Sequence, residues 1–245
     1  MPTKAYHPTG PLRLAALLAA VAGFVDAHIY LNVVNVFVAN MSGNMIHLGI
    51  FTGEFAWRNA EAPVVAILGF VSGVIVATAY HTRRRRAGLA VQPHVLVWAE
   101  AILIALMTAG LCLWHPGFST KVSAGDLAFV ALGAAAMGIQ TAALRRVRSV
   151  QIATTYGTGT IVRIGEKAVS HMAARGNWFE NNGGLHNVPV IILVTVLLSY
   201  IGGAGLASFL GAEHWLLLGP VAALVWAGVS LRPLRRQSHA SRPGS

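Results

Sequence analysis

The chain has 245 residues, of which 55% are hydrophobic and only 11% charged, where an ordinary soluble domain carries about 25% charged residues. Eight acids and eighteen bases are too few to cover a water-soluble fold of this length, so a soluble globular domain is nearly excluded and the bilayer is the solvent that fits. The net charge of +10 would suggest a nucleic-acid partner in a soluble protein, but the bases stand in short blocks at the ends of apolar runs, and no nucleic-acid partner is expected.

A helix needs about 20 residues to cross a hydrocarbon core of about 30 Å. Six runs are long enough: 12–31, 62–81, 94–113, 126–144, 188–209 and 214–231. The first follows Lys4 and contains Arg13, but it has no small-residue cleavage site followed by a soluble domain, so it reads as a permanent span rather than a signal peptide. Between the first and second runs lies 33–51, and between the fourth and fifth lies 150–172; both are semi-apolar and interrupted by glycine. The third run holds Glu100, which the sequence places within reach of Arg83 to Arg86 as a pairing or snorkelling acid, and the single cysteine, Cys112, so no intrachain disulfide is possible. Residues 232–245 read as a basic cytoplasmic tail without fixed structure.

Charge bias selects a topology, because Lys and Arg are retained on the cytoplasmic side of short loops. With both termini cytoplasmic, sixteen of the eighteen bases lie inside and only Arg58 and Lys121 lie outside. A full span at 33–51 would put Arg83 to Arg86 on the outer face, so 33–51 and 150–172 are expected to be broken or re-entrant segments.

The two halves of the chain also resemble each other. Gly23-Phe24-Val25-Asp26-Ala27 matches Gly138-Ile139-Gln140-Thr141-Ala142, the stretch from Val36 to Gly49 matches that from Ile152 to Gly165, and Phe70-Val71-Ser72-Gly73 resembles Tyr200-Ile201-Gly202-Gly203. Three spans per half make the repeat inverted. The fold class expected is therefore an all-α integral membrane protein of six transmembrane helices in a 3+3 inverted repeat with two broken or re-entrant segments. It forms a single membrane domain over 1–231, with repeat 1 at about 12–113 and repeat 2 at about 126–231. Inverted repeats with glycine-interrupted segments at matched positions are a sequence pointer to a transport site near the midplane.

Several residues could line such a site. Asp26 lies inside the first span, roughly 7 to 8 Å of helix rise before Leu31, where an acid needs a partner, a wet cavity or a proton. It reads either as a cation or proton site or as a hydrogen-bond acceptor for the neighbouring broken helix. Its repeat mate is Thr141, beside Gln140. Asn40, Ser42 and Asn44 form the polar heart of the first broken segment, and Thr155, Thr158 and Thr160 that of the second. Where glycine lets the backbone leave the helix, hydroxyl and amide side chains or a bound solute must satisfy the freed N–H and C=O groups. His47 and Arg163 follow at equivalent positions, each one turn into a half-helix. Gly69, Gly73, Ala77, Gly202 and Gly203 form small-residue faces suited to close helix packing. No zinc-type histidine pair, phosphate loop or nucleophile elbow is present, so neither an enzyme nor a cofactor or metal site is expected.

The stretches Ala22 to Ala27, Met41 to Asn44, Met137 to Arg146 and Thr154 to Thr160 are similar to the hallmarks of the YoaK-like bacterial membrane family, domain of unknown function 1275. The resemblance covers roughly 12–231 and implies a six-span bacterial inner-membrane protein, with no catalytic residues to carry over. Thr141 departs from it, standing where the family usually has Asn. The function expected is a small-solute secondary transporter or permease, with Asp26 binding the coupling ion and the amide and hydroxyl groups of the broken segments coordinating the solute. The rival is a non-transporting structural or regulatory partner protein. The partners expected are the bilayer, a small solute or ion, and a second copy in a homodimer.

Overall fold

The computed structural model describes residues 9–114, 122–144, 161–162, 164–166, 169 and 190–231, and every regular element among them is helical. In chain order these are α1 (Thr9–Asn32), α2 (Met41–Gly53), α3 (Trp57–Arg86), α4 (Pro93–Trp114), α5 (Ala124–Leu144), α6 (Val190–Leu210) and α7 (Leu218–Ser230). Five of them, α1 and α3 to α6, are long and apolar enough to cross a membrane. The run 214–231 forms a 3-10 turn, His214–Leu217, followed by the 13 residues of α7. Pro220 explains the change of winding: it has no N–H to donate to Leu216, so an α-helical bond cannot form there. The stretch 33–51 is not a span. It is an extended segment followed by the short helix α2, in keeping with the broken or re-entrant reading.

Local signals set the helix ends. Ser123 and Asp126 form a reciprocal cap on α5: the Ser123 N–H donates to Asp126 Oδ2 at 2.8 Å, and the Asp126 N–H donates to Ser123 Oγ at 3.2 Å. This acid therefore serves the first turn of the helix. At the end of α3, Gly88 takes φ +66, and the Leu89 N–H bonds back to the Arg84 carbonyl at 2.9 Å, closing the helix in the left-handed turn that glycine favours. The end of α2 has the same pattern with Phe55 in that position, at φ 56.

The long helices pack in two close parallel pairs. In the first, Ala15 and Ala19 of α1 pack with Ile192 and Val196 of α6, and at the other end His28 of α1 reaches His214, just beyond α6. In the second, Gly69 and Gly73 of α3 lie against Ala131 and Ala135 of α5. Between the pairs, α4 runs antiparallel to α5, with Met107 against Gly133 and Phe129 against Gly110, and antiparallel to α7, with Trp98 against Gly228.

Glycine makes both close pairs possible. A methyl group at Gly23 would overlap the Tyr200 carbonyl oxygen, and one at Gly203 would overlap that of Ala20. In the second pair, Gly138 bears on the Phe70 carbonyl in the same way, and Gly73 on that of Ala135. Lipid chains are as apolar as leucine, so helix association rests on this fit of backbone against backbone. Gly202, by contrast, faces open space and is not part of the packing face expected of it.

Gly23→Val or Gly138→Val is therefore expected to cost about 1–3 kcal/mol or more through overpacking. Gly202→Ala, with nothing within 4 Å, should be neutral. Thermal unfolding of the purified variants checks both.

Candidate functional site

After Asn32 the chain turns back into the bundle. The turn is made by Val33 and Val34, whose amides bond to the Ile29 carbonyl at 3.1 Å, and by Val36, whose N–H bonds to the Val34 carbonyl at 2.6 Å. The segment is rich in β-branched valine, which favours extended backbone. Val33, Val34, Val36, Val38 and Ala39 are all buried, and Val38 sits against Gly133 in the middle of α5. Among the described residues no strand lies beside this non-helical segment, so its polar groups need side-chain partners.

Asp26 and Asn44 provide them. Asp26 Oδ1 accepts from the Val38 N–H at 2.6 Å and the Ala39 N–H at 2.8 Å, and Oδ2 accepts from the Tyr200 hydroxyl at 2.5 Å. One buried carboxylate thus ties α1, the returning segment and α6 together. Hydrogen bonds to an ionised acceptor are short and strong, which is what offsets the cost of an acid at this depth. Asn44, fully buried, pairs with both polar groups of Phe37: its Oδ1 accepts from the Phe37 N–H at 2.9 Å, and its Nδ2 donates to the Phe37 carbonyl at 2.5 Å. The amide does what a neighbouring β-strand would do.

Asn40 caps α2. Its Oδ1 accepts from the Ser42 hydroxyl at 2.7 Å and from the Gly43 N–H at 3.4 Å. His47, one turn further on, lies among the rings of Tyr30, Phe37 and Phe51, at centroid distances of 6.3, 6.1 and 6.0 Å. Asp26, Asn40, Ser42, Asn44 and His47 therefore belong to one unit organised by the returning segment.

Gln140 and Thr141 do not join it. Gln140 Nε2 donates to the Leu18 carbonyl at 2.9 Å, two turns of α1 before Asp26, and the Thr141 hydroxyl donates to the Met137 carbonyl of its own helix at 2.8 Å. Thr155, Thr158, Thr160 and Arg163 lie outside the described residues, as do most of 150–172 and all of 232–245.

Glu100 departs from its expected pairing. It is fully buried, both carboxylate oxygens lack a hydrogen-bond partner among the described residues, and Arg84 instead donates from Nε and Nη2 to the Ala90 carbonyl at 3.0 and 2.8 Å. The reason is its helical face: Glu100 shares a side of α4 with Val97 and Ile104, which point into the core.

Sequence reasoning missed Tyr200 as the partner of Asp26. A signal was present: the hydroxyl of Tyr200 replaces the plain ring of Phe70, just as the carboxylate of Asp26 replaces the hydroxyl of Thr141. Also missed was a half-buried contact at the Asn32 end of α1, where His28 Nε2 lies 3.0 Å from His214 Nδ1 and Asn32 Nδ2 lies 3.3 Å from His28 Nδ1.

A model of the family described as "Protein of unknown function (DUF1275)" matches residues 14–231. The chain is also 30% identical over 164 residues to the UPF0700 transmembrane protein YoaK of Bacillus subtilis (strain 168), covering 67% of this chain and 68% of that protein. No solved structure matches.

Tyr200→Phe leaves Asp26 Oδ2 buried without its donor, and Asn44→Ala strands two backbone groups of Phe37; each is expected to cost about 1–3 kcal/mol. Amide hydrogen exchange distinguishes them. Tyr200→Phe should speed exchange at Val38 and Ala39, and Asn44→Ala at Phe37.

Proposed function

The chain belongs to the DUF1275 family of transmembrane proteins, and from that premise we propose that it is a small-solute secondary transporter or permease of the bacterial plasma membrane, organised as an inverted repeat around a polar centre. The observation that carries this reading is the returning segment. A stretch of non-helical backbone enters the core beside the middle of α5, and a short helix begins there with its capped N-terminus. Irregular backbone at membrane depth is tolerated only where protein or a cavity surrounds it, and transporters build their sites from such interruptions.

The glycine contacts support the repeat. The sequence halves pair Gly23 with Gly138, Tyr200 with Phe70 and Gly203 with Gly73. Gly23 bears on Tyr200 while Gly138 bears on Phe70, and Gly203 bears on Ala20 while Gly73 bears on Ala135. Residues matched by the alignment thus make matched contacts. Alternating access in this architecture is a rocking of the α1–α6 pair against the α3–α5 pair, with α4 and α7 between them. On charge bias, the Arg86 end of α3 is cytoplasmic. Asp26, the coupling-ion candidate from sequence, acts in this reading first as the group that fixes the returning segment, since three protein donors occupy it.

That same saturation favours the rival reading, a membrane-embedded structural or regulatory protein whose polar groups serve only its own packing. Thermal stability across amino acids, organic acids, sugars, nucleobases and inorganic ions separates the two. A solute present at 100 times its dissociation constant should add about 2.7 kcal/mol, and the same solute should move in proteoliposomes. A silent panel together with absent flux would leave the structural reading.

A further inference from the structure

Two buried polar groups of the core take no part in the Asp26 cluster. Among the described residues, Glu100 Oε1 and Oε2 have no hydrogen-bond partner, and neither has Gln140 Oε1, although the two side chains are 0% and 1% exposed. They belong together. Met107 of α4 packs against Gly133 of α5, and because the helices are antiparallel, two turns back along α4 reaches Glu100 while two turns forward along α5 reaches Gln140. A fully buried carboxylate and an unpaired amide oxygen therefore lie at the same level on the facing sides of α4 and α5, and the Gln140 Nε2 bond to the Leu18 carbonyl of α1 fixes the amide.

We propose that this pair is a proton-binding site, in which Glu100 carries the proton and Gln140 Oε1 accepts its hydrogen bond. An ionised carboxylate without donors is expensive at this depth, and neutralisation is the usual remedy. Among the described residues no base lies within hydrogen-bonding distance of the carboxylate, and with zero exposure no water-sized space adjoins its oxygens. A proton needs no space, and it turns one of the acceptors into the donor that the Gln140 oxygen lacks.

The surroundings leave the group isolated. Within its described span α5 has one acid, Asp126, at its opposite end; α7 has no titratable side chain; the 3-10 turn brings His214, which is bonded to His28. On α4 itself His94 lies nearly two turns toward the helix start, and α3 brings Tyr80 and His81 at its Arg86 end. α1 passes at Leu18, with Asp26 two turns beyond and exposed Arg13 more than a turn before.

The exchange is simple: the carboxylate takes one proton from the aqueous phase and returns it there, and the O–H formed donates to Gln140 Oε1. Using that proton to drive a solute rests on the transporter reading above; the site itself does not.

Infrared spectroscopy of the full chain in lipid nanodiscs at neutral pH tests it, comparing wild type with Glu100→Gln, Asp26→Asn and Gln140→Leu. The expected result is one protonated carboxyl C=O band, present in wild type and Asp26→Asn, absent in Glu100→Gln, and shifted in Gln140→Leu. Should Glu100→Gln not fold, Glu100→Asp must displace the band. No carboxyl band in wild type, or a band lost in Asp26→Asn and kept in Glu100→Gln, overturns the proposal. An unshifted band in Gln140→Leu overturns the pairing. Proteoliposome proton flux is the separate arm: a Glu100 band without any proton or solute movement would sink the transporter while leaving the proton site in place.

Discussion

The chain's return into the bundle after α1 depends on the carboxylate of Asp26. The eight residues 33–40 leave the end of α1, enter the bundle and lead into a new helix of which Asn44 alone is buried. In water such backbone would be solvated; in lipid or protein, each unpaired N–H or C=O costs several kcal/mol. Asp26 accepts two of these amides and Tyr200 from α6 closes the other oxygen, while Asn44 pairs both polar groups of Phe37. The acid and the strand therefore solve each other's problem: the amides make the buried charge tolerable, and the charge makes the buried amides tolerable. Removing either leaves the other uncompensated.

The close helix pairs supply the frame in which this exchange works. Tyr200 reaches Asp26 only because α6 lies nearly backbone to backbone with α1, an approach that Gly23 and Gly203 permit and any side chain would prevent. The α3–α5 pair has the same approach through Gly73 and Gly138, yet with Phe70 and Thr141 at the corresponding places there is no carboxylate and no phenol to join. Similar packing thus carries a polar clamp between α1 and α6 and none between α3 and α5.

Much of this was legible in the sequence, for physical reasons. Long apolar runs and sparse charge dictate helices in a membrane, and the five longest appear within a few residues of their expected bounds, except that α3, at Trp57–Arg86, outruns the expected 62–81 by five residues at each end. Glycine between two such runs, next to Asn40, Ser42 and Asn44, announced a break because amides and hydroxyls are what broken backbone requires. The hydrogen-bond alternative for Asp26 was written into its distance from that break. What the sequence could not convey is helical phase across distant elements. Glu100 lies close enough in sequence to four arginines to suggest pairing, but the side of α4 it occupies is decided by packing against α5 and α7. Tyr200 lies 174 residues from Asp26, and only the approach of two glycines brings them together.

The two membrane acids of α1 and α4 therefore stand in opposite conditions. Asp26 has its acceptors filled by atoms that cannot leave without unfolding the returning segment, so its charge is part of the architecture. Among the described residues no donor occupies the acceptors of Glu100, and an unpaired amide oxygen lies at its level, so a change of its protonation state displaces no other donor. A group that exchanges a proton during a functional cycle has to be the second kind, because a carboxylate locked by three donors gains nothing from a proton that it would not lose in broken hydrogen bonds. On that reasoning the acid most prominent in the sequence holds the structure together, and the less prominent one is left able to do chemistry.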